Sequence, residues 1–259
     1  MKHLDRDGVK LAYEEQGRGS GRPMVFVHGW TCDHTYFAPQ AEHFARSRRV
    51  VSVDLRGHGE SDKPPGKYPI SQFASDVAWM IEKLDLGQPI VVGHSMGGLT
   101  ALVMSAEQPQ ATGAIVMVDA PVVPPAALGP VFAQTSEAFA KPDWRVAHRA
   151  FLQQMLFIAD DDPKRAAKIL EQMTTAPDHV TLGCWEGIVT ADSVAAAAKC
   201  KVPALYIAAE GMLTDPGKLK ELCPQVKFGW TVGAGHFHQL LVPEQVNGMI
   251  ERFLSVSKL

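Results

Sequence analysis

Four short apolar runs recur through the first half of the chain, at residues 24–27, 50–53, 90–92 and 114–118, and a helix-length segment separates each from the next. Near-continuous apolarity over so few residues, broken only by Ser52 in the second run, is what a strand buried on both faces gives. Strands that alternate with helices argue for an α/β fold in which a mostly parallel sheet is covered on both faces. An earlier stretch, 9–14, alternates apolar and polar residues and runs into Gly17-Arg18-Gly19-Ser20-Gly21, which predicts an antiparallel strand ended by a flexible turn. That turn lacks the lysine and the spacing of a phosphate loop.

The intervening segments have helical spacing. Phe37, Ala41 and Phe44 mark one face, and Phe73, Val77, Met80 or Ile81, and Leu84 mark another. After residue 118 the alternation breaks at Pro121, Pro124 and Pro125. About seventy residues of helical character follow, with Trp144, Ala147, Phe151 and Met155 on one stripe and Asp162-Pro163 opening a further helix. Strand and helix alternate again from 204–208 through 226–232 to a closing helix that carries Val246, Ile250 and Phe253. The expected organisation is one core formed by 1–121 and 198–259, with 122–197 inserted as a helical lid. There is no internal repeat or interdomain linker.

Composition narrows the function. With 46% hydrophobic and 20% charged residues, 259 residues suffice for a sizeable single core. A net charge of −3, without a run of Lys and Arg, argues against a nucleic-acid partner. The first residues hold no apolar core of signal-peptide length and no segment has the apolar length of a membrane helix, so a soluble, cytoplasmic protein with no membrane partner is expected. Cys32, Cys184, Cys200 and Cys223 stand singly, which predicts free thiols and no metal site. No cofactor is implied, and oligomeric state is left open.

The strongest local signal is Gly93-His94-Ser95-Met96-Gly97, placed directly after an apolar strand and before a helix-like run at 99–106. A serine hydroxyl is a weak nucleophile unless it is exposed and served by a base. Glycines two places before and after Ser95 let strand and helix pass closely while the serine takes a strained backbone conformation. The helix that begins at Met96 aims its free N–H groups and positive end at an oxyanion formed there, and the Met96 N–H is one candidate donor.

Val27-His28-Gly29-Trp30, Asp54-Leu55-Arg56-Gly57-His58-Gly59-Glu60-Ser61-Asp62, the serine turn and Gly233-Ala234-Gly235-His236-Phe237 together resemble the α/β-hydrolase superfamily over essentially the whole length. The resemblance implies an oxyanion hole formed by the N–H groups of Trp30 and Met96, and a catalytic base at His236, with His238 its rival two residues on. For the acid that orients the histidine, most relatives carry an aspartate after the strand that follows the lid, where this sequence has Met212. Other members place the acid one strand earlier, which selects Asp119 ahead of Glu210 and Asp215. Asp54, Arg56 and His58 belong to a motif that the family uses to shape the fold around the site.

Trp144, Phe151 and Trp185 in the helical insertion are expected to bind substrate, which implies a small to medium, uncharged and partly hydrophobic ester, thioester or lactone. Two other readings are open. One is a cofactor-free dioxygenase that cleaves a heteroaromatic ring, because Trp30 with Asp33, His34 and an acid at Asp119 resembles the family's quinolone ring-cleaving members, although those carry histidine where this chain has Met96. A non-enzymatic small-ligand receptor on the same fold is the other.

Overall fold

The computed structural model describes residues 1–259. Strand β1 (Lys2–Arg6) pairs antiparallel with β2 (Val9–Val27) across Asp7-Gly8. Both turn residues have positive φ, 54° and 82°, as a two-residue hairpin matched to the strand twist requires. The alternation at 9–14 and the apolar run at 24–27 are two limbs of the same long strand. The glycine-rich segment between them is the bend. A Cβ on Gly17 would lie 2.3 Å from the Arg48 carbonyl oxygen, and its φ is +71°.

Helix α1 (Ala38–Ala45) leads to β3 (Arg48–Val53), which lies between the two limbs. Tyr13 opposes Val53 and Gln16 opposes Val50, an antiparallel register, whereas Met24 opposes Val50 and Val27 opposes Val53 in parallel. The chain continues through α2 (Ile70–Lys83), β4 (Ile90–His94), α3 (Met96–Glu107) and β5 (Ala114–Val118). Five helices then intervene: α4 (Leu128–Phe139), α5 (Trp144–Met155), α6 (Pro163–Met173), α7 (Asp178–Thr190) and α8 (Ser193–Lys199). The sheet resumes with β6 (Ala204–Ala208), and α9 (Pro216–Leu222), β7 (Val226–Trp230), α10 (His238–Leu241) and α11 (Pro243–Ser257) complete the fold. The second limb of β2 and strands β4 to β7 are all parallel neighbours.

Because neighbouring residues on a strand face opposite ways, each buried strand feeds two cores. Met24, Phe26, Val92 and Val116 pack under α1 and α11 with Phe37, Phe44, Ile250 and Phe253. Val25, Val27, Val91 and Met117 pack against α2 and α3 with Phe73, Leu99 and Leu102. Helix α8 packs along α3. The expected end of the insertion at 197 thus falls inside a helix belonging to the core layer, and the helices standing over the strand ends are α4 to α7. No helix is long and apolar enough to cross a membrane.

Candidate active site

The carboxyl ends of the parallel strands converge, and the side chains singled out in the sequence emerge from them. Ser95 follows β4 directly. Its φ of +53° and ψ of −119° lie outside the regions that a non-glycine residue prefers, and its N–H is held by the Val118 carbonyl at 2.9 Å. The flanking glycines are steric requirements. A Cβ on Gly93 would lie 2.1 Å from the Gly97 carbonyl oxygen, and one on Gly97 would lie 2.1 Å from that of Val27.

Asp119, one residue past β5, also has a left-handed backbone, with φ of +40°, and its N–H donates to the Ile207 carbonyl at 2.8 Å. The carboxylate is buried, and Oδ2 lies 2.7 Å from His236 Nδ1. His236 sits in the loop after β7 and is 4% exposed. Its backbone is held at both ends: the N–H donates to the Leu156 carbonyl at 3.1 Å, and the carbonyl accepts from His94 Nε2 at 2.9 Å. Ser95 and His236 open into the same cavity. Their side chains are not hydrogen-bonded to each other in this structure, a contact that commonly tightens only when substrate binds.

The rival residues are occupied elsewhere. Glu210 is exposed, and its carboxylate accepts the Gly233 N–H at 3.0 Å. Asp215 caps α9 through the Lys218 N–H, and Met212 packs against the hydrophobic core. His238 is fully buried, with Nδ1 paired to Thr231 Oγ1 at 2.8 Å, and burial pushes its imidazolium down to about 4.

Met96 is the first residue of α3, so its N–H is one of those without an intrahelical acceptor. Trp30 follows Gly29 in the loop after β2, and its N–H carries no hydrogen bond. A Cβ on Gly29 would lie 2.9 Å from His94 Nδ1, so glycine allows the loop to close over the serine turn. The Trp30 indole N–H donates to the Thr181 carbonyl of α7 at 3.0 Å, which ties this loop to the overlying helices.

The cavity holds about 530 Å³ including its mouth, and 11 of its 16 lining residues are hydrophobic. Trp30, Phe132, Phe151 and Trp185 make the aromatic wall; the Phe151 and Trp185 ring centroids are 5.1 Å apart, and Trp30 is 5.5 Å from Trp185. No Asp, Glu, Lys or Arg lines it. Trp144 differs from expectation. It is buried and does not line the cavity, packed on Phe139 and His148, with the Arg145 guanidinium over its ring. The helical stripe that nominated it faces the insertion's own interior at that end. Asp33 and His34 also stand outside the cavity, where Asp33 caps the turn beginning at His34 and His34 Nδ1 lies 2.9 Å from Asp54.

His94 and Leu156 were not anticipated as parts of the site. His94 is concealed in the variable position of the serine motif. It is fully buried, its ring lies 4.4 Å from that of His236, and burial followed by the neighbouring His236 holds it well below the ordinary imidazole range. Because the His236 carbonyl can only accept, the His94 proton sits on Nε2.

A model of the α/β hydrolase fold matches residues 22–243. The chain belongs to the α/β-hydrolase family. A 2-(acetamidomethylene)succinate hydrolase of Mesorhizobium japonicum is 34% identical over 118 residues, which is 46% of this chain and 42% of that one. The chain thus matches less than half the length of such curated relatives. Solved α/β-hydrolase structures match nearly end to end. An enol-lactonase of Burkholderia xenovorans superimposes with a TM-score of 0.86 at 23% identity, covering 98% of this chain and 100% of that one. An esterase of Thermogutta terrifontis gives 0.85 at 23% identity, covering 99% of both. At that identity the likeness speaks for the fold, and the chemistry rests on the site.

Proposed function

We propose that the protein is a serine hydrolase acting through an acyl-enzyme on a small to medium, neutral and largely apolar carboxylic ester, lactone or thioester. The observation that carries this reading is the pairing of a strained, cavity-facing Ser95 with a His236 whose Nδ1 is bonded to the buried Asp119. In this reading His236 Nε2 accepts the Ser95 proton as Oγ attacks the carbonyl carbon. Asp119 keeps the proton on Nδ1 and stabilises the imidazolium. The oxyanion is received by the N–H groups of Trp30 and Met96. His236 then protonates the leaving alkoxide or thiolate, and the same base activates the water that resolves the acyl-enzyme.

Helices α4 to α7 act as the lid in this scheme, with Phe151 and Trp185 as substrate contacts and Trp144 as their support. The absence of charged groups among the lining residues supports a neutral substrate, since an unpaired carboxylate buried there would go uncompensated. The test is intact-mass labelling by a fluorophosphonate, in which Oγ bonds to phosphorus and fluoride leaves, run beside Ser95→Ala and followed by a screen of short esters and lactones. One adduct per chain, lost in the variant, is the expected result. A folded wild-type protein that takes no adduct would overturn the assignment.

A further inference from the structure

The loop that carries His236 is gripped by the helical insertion at a place the reaction scheme leaves unexplained. Between α5 and α6 the chain makes a turn in which Asp161 N–H donates to the Ile158 carbonyl at 3.2 Å and Asp161 Oδ2 accepts the Ile158 N–H at 2.9 Å. That leaves Oδ1 aimed outward, and it accepts the N–H of Gly235 at 2.8 Å. Asp161 is only 6% exposed. One residue further, the His236 N–H is taken by the carbonyl of Leu156 from the same turn. Two successive amides, at Gly235 and His236, are therefore bound by one segment of the insertion.

The approach is close enough to dictate sequence. A Cβ on Gly235 would lie 2.6 Å from Asp161 Oδ2, 3.1 Å from the Leu156 carbonyl oxygen and 3.3 Å from the Ile158 nitrogen. The glycine before His236 thus has a reason unrelated to backbone torsion: it leaves room for the clasp. The segment also reaches the substrate space, because Met155 and Leu156 line the cavity that Ser95 and His236 open into.

We infer that Asp161 is a positioning residue that ties the lid to the catalytic histidine, so that the position of His236 depends on how the α5–α6 turn is seated. This rests on the serine-hydrolase reading for its consequence in turnover, but the clasp itself is independent of that reading. Asp161 touches neither substrate nor the reacting atoms. It acts by holding Gly235, and the bond it makes is charge-assisted and shielded from water. A substrate that displaces Met155 or Leu156 pulls on the same turn. Seating of the lid and alignment of the base are then one event.

The experiment compares the full-length wild type with Asp161→Ala and Asp161→Asn, far below the melting temperature of each. Hydrogen exchange by mass spectrometry reads the clasp directly, and the rate of fluorophosphonate adduct formation at Ser95 reads alignment of the base. Asp161→Ala is expected to raise exchange at Gly235 and His236 by about tenfold or more and to slow labelling by roughly 10- to 100-fold, the range for sub-ångström to ångström misplacement of a catalytic group. Asp161→Asn, which keeps one acceptor, should recover much of both. In steady state the loss falls on kcat with KM little changed. A purely structural carboxylate would lower the melting temperature and leave labelling of the folded protein at the wild-type rate, and that result overturns the inference. Unchanged exchange at Gly235 and His236 overturns it whether or not Ser95 is labelled. A wild type that takes no adduct while exchange rises in Asp161→Ala separates failure of the hydrolase reading from the clasp, which it upholds.

Discussion

His94 Nε2 donates to the main-chain carbonyl of His236 at 2.9 Å, so the residue before the proposed nucleophile holds the residue proposed as its base. The two rings are 4.4 Å apart, and a charged His94 would face the imidazolium that the proposed mechanism forms at His236. Burial keeps His94 neutral and leaves it as a fixed donor. His94→Phe preserves bulk and removes the donor. It should lower kcat by roughly 10- to 100-fold with a small change in KM, and His94→Gln, which retains an N–H, should regain part of the loss. Steady-state kinetics on any ester found in the screen decides this, and wild-type kcat in His94→Phe would show that the bond is dispensable.

The acid is tested by a pair of substitutions. Asp119→Asn keeps the shape of the side chain but allows the wrong imidazole tautomer, and should reduce kcat by on the order of 10³- to 10⁴-fold. Glu210→Gln changes an exposed carboxylate whose recorded partner is the Gly233 N–H, and turnover should stay within about threefold of wild type. Should Glu210→Gln alone abolish activity, the histidine would have to take its partner from the other loop during turnover.

Substrate charge provides a third test. Two esters that differ only in a distal methyl or carboxylate group present the same reacting atoms to Ser95. A cavity lined by no charged side chain should favour the neutral one by about 10²-fold or more in kcat/KM. Equal rates would mean that the distal group stays in solvent, outside the aromatic wall.

Five buried histidines, His28, His58, His94, His148 and His238, are lowered by burial and make stability depend on pH. His148, packed between Trp30, Trp144 and Phe139, is lowered to about 4 by burial and then by Arg145, and His238 reaches a similar value through burial. Their ordinary value is near 6.5. Between those values the unfolded chain binds protons that the folded chain refuses, so the stability they contribute is complete above about pH 6.5 and declines as pH falls toward 4. The decline is on the order of 3 kcal/mol for each residue. Chemical denaturation at stepped pH should show this slope, and His148→Phe should make it shallower by the share of that one residue. A slope unchanged in that variant would mean that His148 is charged in the folded protein.

Much of the core was legible because buried parallel strands and amphipathic helices leave strong periodic signals. β4, β5 and β6 fall on apolar runs, and Ser95, Asp119 and His236 each stand at the strand end or loop that the motifs indicate. β1 leaves little signal in the sequence because Leu4 is the single apolar residue on its half-buried face, although Asp7-Gly8 is itself a hairpin signal. Trp144 was misplaced because an apolar stripe does not say which buried surface it meets. Asp161 left no trace at all. A carboxylate in a polar turn beside Asp160 and Asp162 looks like solvent-facing sequence, and only the return of the chain 74 residues later gives its second oxygen a partner.

The doubling of β2 around β3 has a consequence for how the molecule is made. Along the sheet, β1, the first limb, β3 and the second limb lie side by side, so residues 1–53 complete one continuous block. From that block β4, β5, β6 and β7 are each laid against their predecessor on the same advancing edge in the order in which they are synthesised. No strand has to be threaded between two that are already paired. A chain emerging from the ribosome can therefore extend its sheet vectorially, with its longest interval while the five helices between β5 and β6 are translated.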